Sequence, residues 1–328
     1  FNTIRVIPWY KDPTAQVICD AVSLNNNSIT TSSRYVLKNI LEMFDDNGFY
    51  PIVSPEVEFY LVKPNPDADY PLEVPIGQSG RKETGKQSYG IDAVNEFDPL
   101  FEDVYNYCEA QNIEIDTLNH ESGSAQMEIN FQHGNPLDLA DQVFLFKRTL
   151  RQSALKHKLY ATFMAKPMDN QPGSSMHLHQ SLYDKKNNKN IFYDKKNTIS
   201  KTMNYYIGGL QEFTPKLMPI HAPNVNSYRR LFATWDAPRN TKWGIGNRSC
   251  GFRIPSIEEK SMRIENRISG SDTNPYLVIA ANLAAGYLGI KNKIKASEET
   301  KKSTFNEKKV LYQKIWRKQF HFLKKMII

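Results

Sequence analysis

The chain has 328 residues, of which 40% are hydrophobic and 23% charged, and a formal net charge of +7. That is ample length for a large core and an ordinary soluble composition. The excess charge does not read as a nucleic-acid surface, because the lysines gather from Lys291 onward and at Lys185, Lys186, Lys189, Lys195 and Lys196, with no aromatic interleaving.

No apolar run reaches the roughly 18 residues a membrane span needs. Cys19, Cys108 and Cys250 lie too far apart for a disulfide framework or a cysteine zinc site, so a reducing, cytoplasmic setting is expected.

In chain order, apolar alternation predicts strands near 3–8 and 15–21, and helical periodicity a helix over 33–47. A strand follows at 52–63, a helix at 95–111, strands at 113–119 and 125–132, and a helix at 136–158 opened by Asn135-Pro136. Strands at 159–166 and 174–183, a helix at 199–213, strands at 250–254 and 262–268, and a helix at 275–290 after Asn274-Pro275 complete the chain. Adjacent strands with inserted helices predict an α+β fold with a largely antiparallel sheet. The lysine- and asparagine-rich stretch around 185–196 reads as a solvated hairpin or loop.

Nearly all candidate ligands fall on the strands. Glu56 and Glu58 stand two apart in S-P-E-V-E-F-Y, and His177 and His179 two apart in G-S-S-M-H-L-H, so each pair shares a strand face. Glu121 and Glu128 bracket a turn at Gly123 and Ser124, and Glu265 sits between Arg263 and Arg267. Like charges on one face repel unless a cation neutralises them; the alternative is a half-exposed acidic strand. Carboxylates with an imidazole favour Mg²⁺ or Mn²⁺ over zinc. Arg229, Arg230, Arg248, Arg253, Arg263 and Arg267 supply the fork geometry that grips carboxylate and phosphate. Acids and arginines together suit phosphoryl transfer, and no G-x-x-x-x-G-K-[ST] loop is present to hold a nucleotide.

Six phrases, S-P-E-V-E-F-Y, H-E-S-G-S-A-Q-M-E-I-N-F, G-S-S-M-H-L-H-Q-S-L, N-S-Y-R-R-L, G-N-R-S-C-G-F-R-I-P and R-I-E-N-R-I, together resemble the glutamine synthetase family, in its order. The resemblance implies a glutamine synthetase/guanido kinase-like catalytic domain with a curved antiparallel sheet and flanking helices. It also implies a ligase that uses ATP to form γ-glutamyl phosphate from glutamate, which ammonia or a small amine then converts to an amide. On matching motifs, Glu58, Glu121 and Glu128 would hold one Mg²⁺ or Mn²⁺, and Glu56, His177 and Glu265 a second. Arg230 would take the α-carboxylate of glutamate, and Glu121 and Arg267 would also face substrate. His179 would lie near the nucleotide, with Arg248, Arg253, Arg263 and Arg267 on phosphates. A noncatalytic nucleotide or glutamate sensor is the alternative.

Asp236 in T-W-D-A-P stands where ammonia-using members usually carry a glutamate. Being one methylene shorter, it leaves room for a bulkier amine, and the chain resembles the γ-glutamylpolyamine and γ-glutamylalkylamine synthetase-like subgroup. The resemblance divides the chain into 1–23, the end of a β-grasp domain; 24–290, the catalytic domain; and 291–328, a divergent tail. From Leu311 a shifted reading frame restores a helix-like peptide, so a frameshift near residue 310 is expected. In the family's homo-oligomeric rings a loop of the β-grasp domain completes the neighbouring subunit's site, and its expected absence from this stretch implies negligible activity for the stretch alone.

Overall fold

The computed structural model describes residues 2–84, 86–195, 198–233 and 237–305. Asp236 and the tail from Leu311 lie outside these described residues. Strands β1 (Arg5–Val6) and β2 (Ala15–Gln16) form a separate antiparallel ribbon, shorter than the predicted spans. Helix α1 (Ser33–Asp46) then leads into β3 (Phe49–Val62), the longest strand of the main sheet.

The alternation of β3 sorts its side chains by face. Val53, Val57, Phe59 and Leu61 are buried in the hydrophobic core, while Ser54, Glu56 and Glu58 occupy the alternate positions. Two short helices, α2 (Ile91–Asn95) and α3 (Asp98–Ala110), replace the single predicted helix over 95–111, because Pro99 opens a new helix at its first turn. Strands β4 (Ile115–His120) and β5 (Gln126–Phe131) follow, then α4 (Pro136–Lys156), whose Asn135 cap accepts the amides of Leu137 and Asp138.

Strands β6 (Tyr160–Thr162) and β7 (Met176–Asp184) return to β3, and β8 (Lys189–Asn190) pairs with β7, so the lysine-rich stretch begins as a hairpin. A second small hairpin joins β9 (Tyr193–Asp194) to β10 (Thr198–Ile199). Helices α5 (Lys201–Phe213), α6 (Met218–His221) and α7 (Val225–Ala233) come next; α7 contains N-S-Y-R-R-L and was not predicted. Strands β11 (Trp243–Ile245), β12 (Phe252–Ile254) and β13 (Ile264–Asn266) precede α8 (Pro275–Lys291).

The main sheet runs β11-β12-β13-β7-β3-β5-β4, with β6 beside β3 and β8 beside β7. Among described strand pairs only β11 and β12 run parallel, so the fold is α+β with a mainly antiparallel sheet. Helices α1 and α4 pack on β3, and α8 packs against α1, α4 and α5. The α5–α8 crossing is close enough that a Cβ on Gly209 would lie 2.2 Å from the Ala285 carbonyl oxygen, so glycine is required there. No helix among the described residues is long and apolar enough to cross a membrane. All three cysteines are free thiols.

Candidate active site

Sheet register assembles the acidic groups. Glu56 lies opposite His177 on β7 and Asn130 on β5; Glu58 lies opposite Glu128; Glu265 lies opposite His179 and Arg253. Directly paired residues point to the same face, so five strands deliver one polar cluster. A cavity of about 460 Å³ opens over it, lined by Glu56, Glu58, Glu121, Glu128, His177 and Glu265 and by Arg230, Arg248, Arg253 and Arg267.

Ligand atoms of Glu56, His177 and Glu265 lie within 4.8 Å of one another, and so do those of Glu58, Glu128 and His177. Glu121 borders the same cavity without joining either close group, and His177 belongs to both.

Each acid is held differently. Glu56 accepts from His177 Nδ1 at 3.1 Å and His179 Nε2 at 2.7 Å. Burial alone would raise its carboxyl, but the two imidazoles carry it below the ordinary carboxylate range. Arg263 Nε donates to His179 Nδ1 at 3.0 Å, so the His179 proton sits on Nε2, facing Glu56. Glu58 accepts the Ser175 amide at 2.8 Å and its hydroxyl at 2.5 Å.

Glu265, 1% exposed, takes Arg253 Nη1 at 2.8 Å and is also bridged by Arg267 Nη1. Burial opposes its charge, yet Arg267, His177 and His179 bring it down to about 2. Glu128 goes the other way: burial, then the charges of Glu56, Glu58, Glu121 and Glu265, push it well above the usual range. Burial and Arg267 lower His177, against the pull of Glu56 and Glu265.

The donor set fits divalent cations flanked by anions. Crowded carboxylates with a neutral imidazole match hard or borderline ions. The Nε groups of Arg253 and Arg267 are buried with no hydrogen-bond partner among the described residues, so two oriented donors remain for an anion.

Arg230, on α7 and 3% exposed, donates to the carbonyls of Ile268 at 2.9 Å and Arg267 at 3.2 Å. Gly173 lets it pass, since a Cβ there would come within 2.5 Å of Arg230 Cγ. Arg248 Nη1 donates to Tyr89 Oη at 3.3 Å.

His179 and Arg263 line an adjoining cavity of about 320 Å³, with Ser54, Asp116, His133 and Tyr183 on its walls. The predicted residues therefore border two neighbouring spaces rather than one. Arg229 lines neither.

Sequence reasoning missed Tyr89, Ser88 and Ser122. Tyr89 holds a left-handed backbone at φ 62° and donates its amide to the His120 carbonyl, which places its ring on the cavity; the serine hydroxyls lie 2.9 Å apart. Their segment has no regular periodicity to flag them. The helix carrying Arg230 did leave a signal, because Asn224 and Ser227 form a reciprocal cap at its start.

The family profile described as "Glutamine synthetase, catalytic domain" matches residues 30–316. A protein named gamma-glutamylputrescine synthetase PuuA, from Escherichia coli, is 34% identical over 286 residues, covering 87% of this chain and 60% of its own length. A glutamine synthetase of Methanocaldococcus jannaschii is 35% identical, covering 93% and 66% respectively. A glutamate–isopropylamine ligase of a Pseudomonas species is 33% identical, covering 90% and 64%. The chain thus spans about six tenths to two thirds of these relatives. A solved structure titled "GmaS/ADP complex-Conformation 1" superposes with a TM-score of 0.78 at 27% identity, covering 93% of this chain and 69% of the other.

Proposed function

Because this chain belongs to the glutamine synthetase family, we propose that it carries the catalytic cavity of an ATP-dependent ligase joining an amine to the γ-carboxylate of glutamate. One observation carries the reading: Glu265 sits buried between Arg253 and Arg267, beside His177 and Glu56, with two arginine Nε donors left over for an anion. Acids alone would suit any cation, and arginines alone any anion. A site holding both suits a phosphoryl group bridged by metal.

Glu58, Glu121 and Glu128 would hold one Mg²⁺ or Mn²⁺, and Glu56, His177 and Glu265 the other. When bound, the ions neutralise charge on phosphate and carboxylate oxygens. Arg230 takes the α-carboxylate of glutamate, and ATP occupies the adjoining cavity, with His179 and Arg263 beside its phosphates and the Asp116 carboxylate able to accept from sugar hydroxyls. A γ-carboxylate oxygen attacks the γ-phosphorus, the bridging bond to ADP breaks, and γ-glutamyl phosphate forms. The amine nitrogen then attacks the carbonyl carbon, gives its proton to a carboxylate, Asp236 or the cavity's Glu121, and phosphate departs. Arg248, Arg253 and Arg267 stabilise the charge moving through both steps.

An alkylamine or polyamine is the proposed acceptor. The Escherichia coli and Pseudomonas relatives are named for putrescine and isopropylamine, and Asp236 is a short acid. In the whole protein, a homo-oligomeric ring completes the site. Glutamate-dependent phosphate release by the full-length protein, measured with ammonium, methylamine and putrescine, tests the reading. An amine is expected to give the highest kcat/KM; ammonium far ahead of both would sink the acceptor assignment, and no glutamate dependence would sink the ligase.

A further inference from the structure

The largest of the cavities described here, about 600 Å³, belongs to neither space above. Phe144, Lys147, Arg148 and Arg151 of α4 line it, with Phe163, Met164 and the residues that start α8. Three cations thus stand on adjacent turns of one helix, and a solvated basic face is the usual reading of such a run. Lys147 departs from that reading, because its ammonium is enclosed and donates to the carbonyls of Ser271 at 2.6 Å and Thr273 at 3.3 Å. Burial, and then the Arg151 charge, push it down to about 8.

Arg151 lies over the Phe163 ring, 5.0 Å from its centroid, with no hydrogen-bond or ion-pair partner among the described residues. Arg148 lies over Trp9 at 5.2 Å. Among the described residues one acid lines this cavity, Asp272; its Oδ2 is engaged by Ser227 Oγ at 2.6 Å and Asn224 Nδ2 at 3.0 Å, and its Oδ1 is buried without a hydrogen-bond partner among them. The start of α8 adds the positive end of a 17-residue helix. Phe144 and Met164 stay 52% and 42% exposed on the wall, which leaves apolar surface for the body of a ligand to cover.

We propose that this cavity binds a small organic anion, its carboxylate or phosphate head between Lys147 and Arg151 and its flat apolar body against Phe144 and Met164. Two like charges in a partly desolvated space are relieved by a dianionic or carboxylate head, and the aromatic walls discriminate against bare inorganic ions. Ser271 links this cavity to the catalytic one. The Ser271 carbonyl receives Lys147, while its hydroxyl donates to the Glu58 carbonyl at 2.6 Å, so an occupant that drew Lys147 away would act on the strand bearing two acids.

Isothermal titration of the chain with phenyl phosphate, benzoate and benzyl alcohol tests the proposal. At least one anion is expected to saturate a single site, with benzyl alcohol about tenfold weaker or worse. Arg151→Gln and Lys147→Met should each weaken the anion about tenfold, while Arg230→Gln, in the catalytic cavity, binds as wild type. If Lys147→Met does not fold, Arg151→Gln, exposed and unpaired, decides alone. Absence of saturation by both anions, unchanged affinity in Arg151→Gln, equal loss in Arg230→Gln, or equal binding of benzyl alcohol each overturns the site.

Discussion

Glu83 Oε2 lies 3.1 Å from His120 Nε2, and the same oxygen accepts the Ala125 amide at 2.8 Å. One carboxylate thus ties the end of β4 to the residue before β5, across the turn that carries Glu121. His120 Nδ1 completes the clamp at 2.7 Å from the Glu121 carbonyl, and Ala125 holds a left-handed φ of 55°. Glu83→Ala leaves a buried ring nitrogen and a buried amide without partners, and should cost about 1–3 kcal/mol by chemical denaturation. Glu83→Gln should recover most of that loss, since an amide oxygen still accepts from Ala125. Equal destabilisation in both variants would mean that volume, not hydrogen bonding, matters there.

Glu265→Gln should weaken Mn²⁺ binding by about tenfold or more, read by electron paramagnetic resonance of free ion. The substitution keeps the shape but leaves Arg253 and Arg267 facing each other without a charge between them. Wild-type Mn²⁺ affinity in Glu265→Gln would remove this residue from the proposed cation site.

Acid should destabilise the fold partly through His221. This side chain is fully buried, its Nδ1 lies 2.9 Å from Ser269 Oγ, and its Nε2 has no partner among the described residues. Burial lowers it from 6.5 to about 4. The unfolded chain therefore takes up the proton first as pH falls. The stabilisation is complete above pH 6.5, declines towards pH 4, and amounts to roughly 3 kcal/mol. Denaturation of wild type and His221→Gln between pH 7 and 4 should show a shallower fall in the variant; parallel curves would exclude His221 as the source.

Arg34 grips Asp141 with Nε and Nη2, both at 3.0 Å, and Tyr276 Oη donates to the same carboxylate at 2.6 Å. The pair joins α1, α4 and α8, with side chains 13% and 8% exposed. Arg34→Met should cost about 3 kcal/mol, because it strands a buried charge, whereas Arg34→Met with Asp141→Leu should recover part of the loss. A double variant no more stable than the single one would contradict this account.

Much of the site was legible because strands expose chemistry through a period of two. S-P-E-V-E-F-Y and M-H-L-H announce which residues share a face, and β3 and β7 carry them as read. Register was not legible, since nothing local says that Glu58 meets Glu128 or that Glu265 meets His179. Nor could alternation reveal that β11 runs parallel to β12, a pairing set by the path of the intervening loop. Tyr89 escaped because its position depends on a backbone amide bound to His120, in a segment without periodicity.

Glu56 and His177 are neighbours in space although 121 positions separate them in the chain, and Glu265 joins them only from β13. Until β7 pairs with β3 the acids of β3 lack their imidazoles, and until β13 docks the cluster lacks Glu265 with the two arginines that flank it. Contacts so distant along the chain form slowly, after costly loop closure. Metal affinity should therefore appear abruptly at the end of folding rather than build up along it, and metal bound at that moment would act as a latch on a finished sheet.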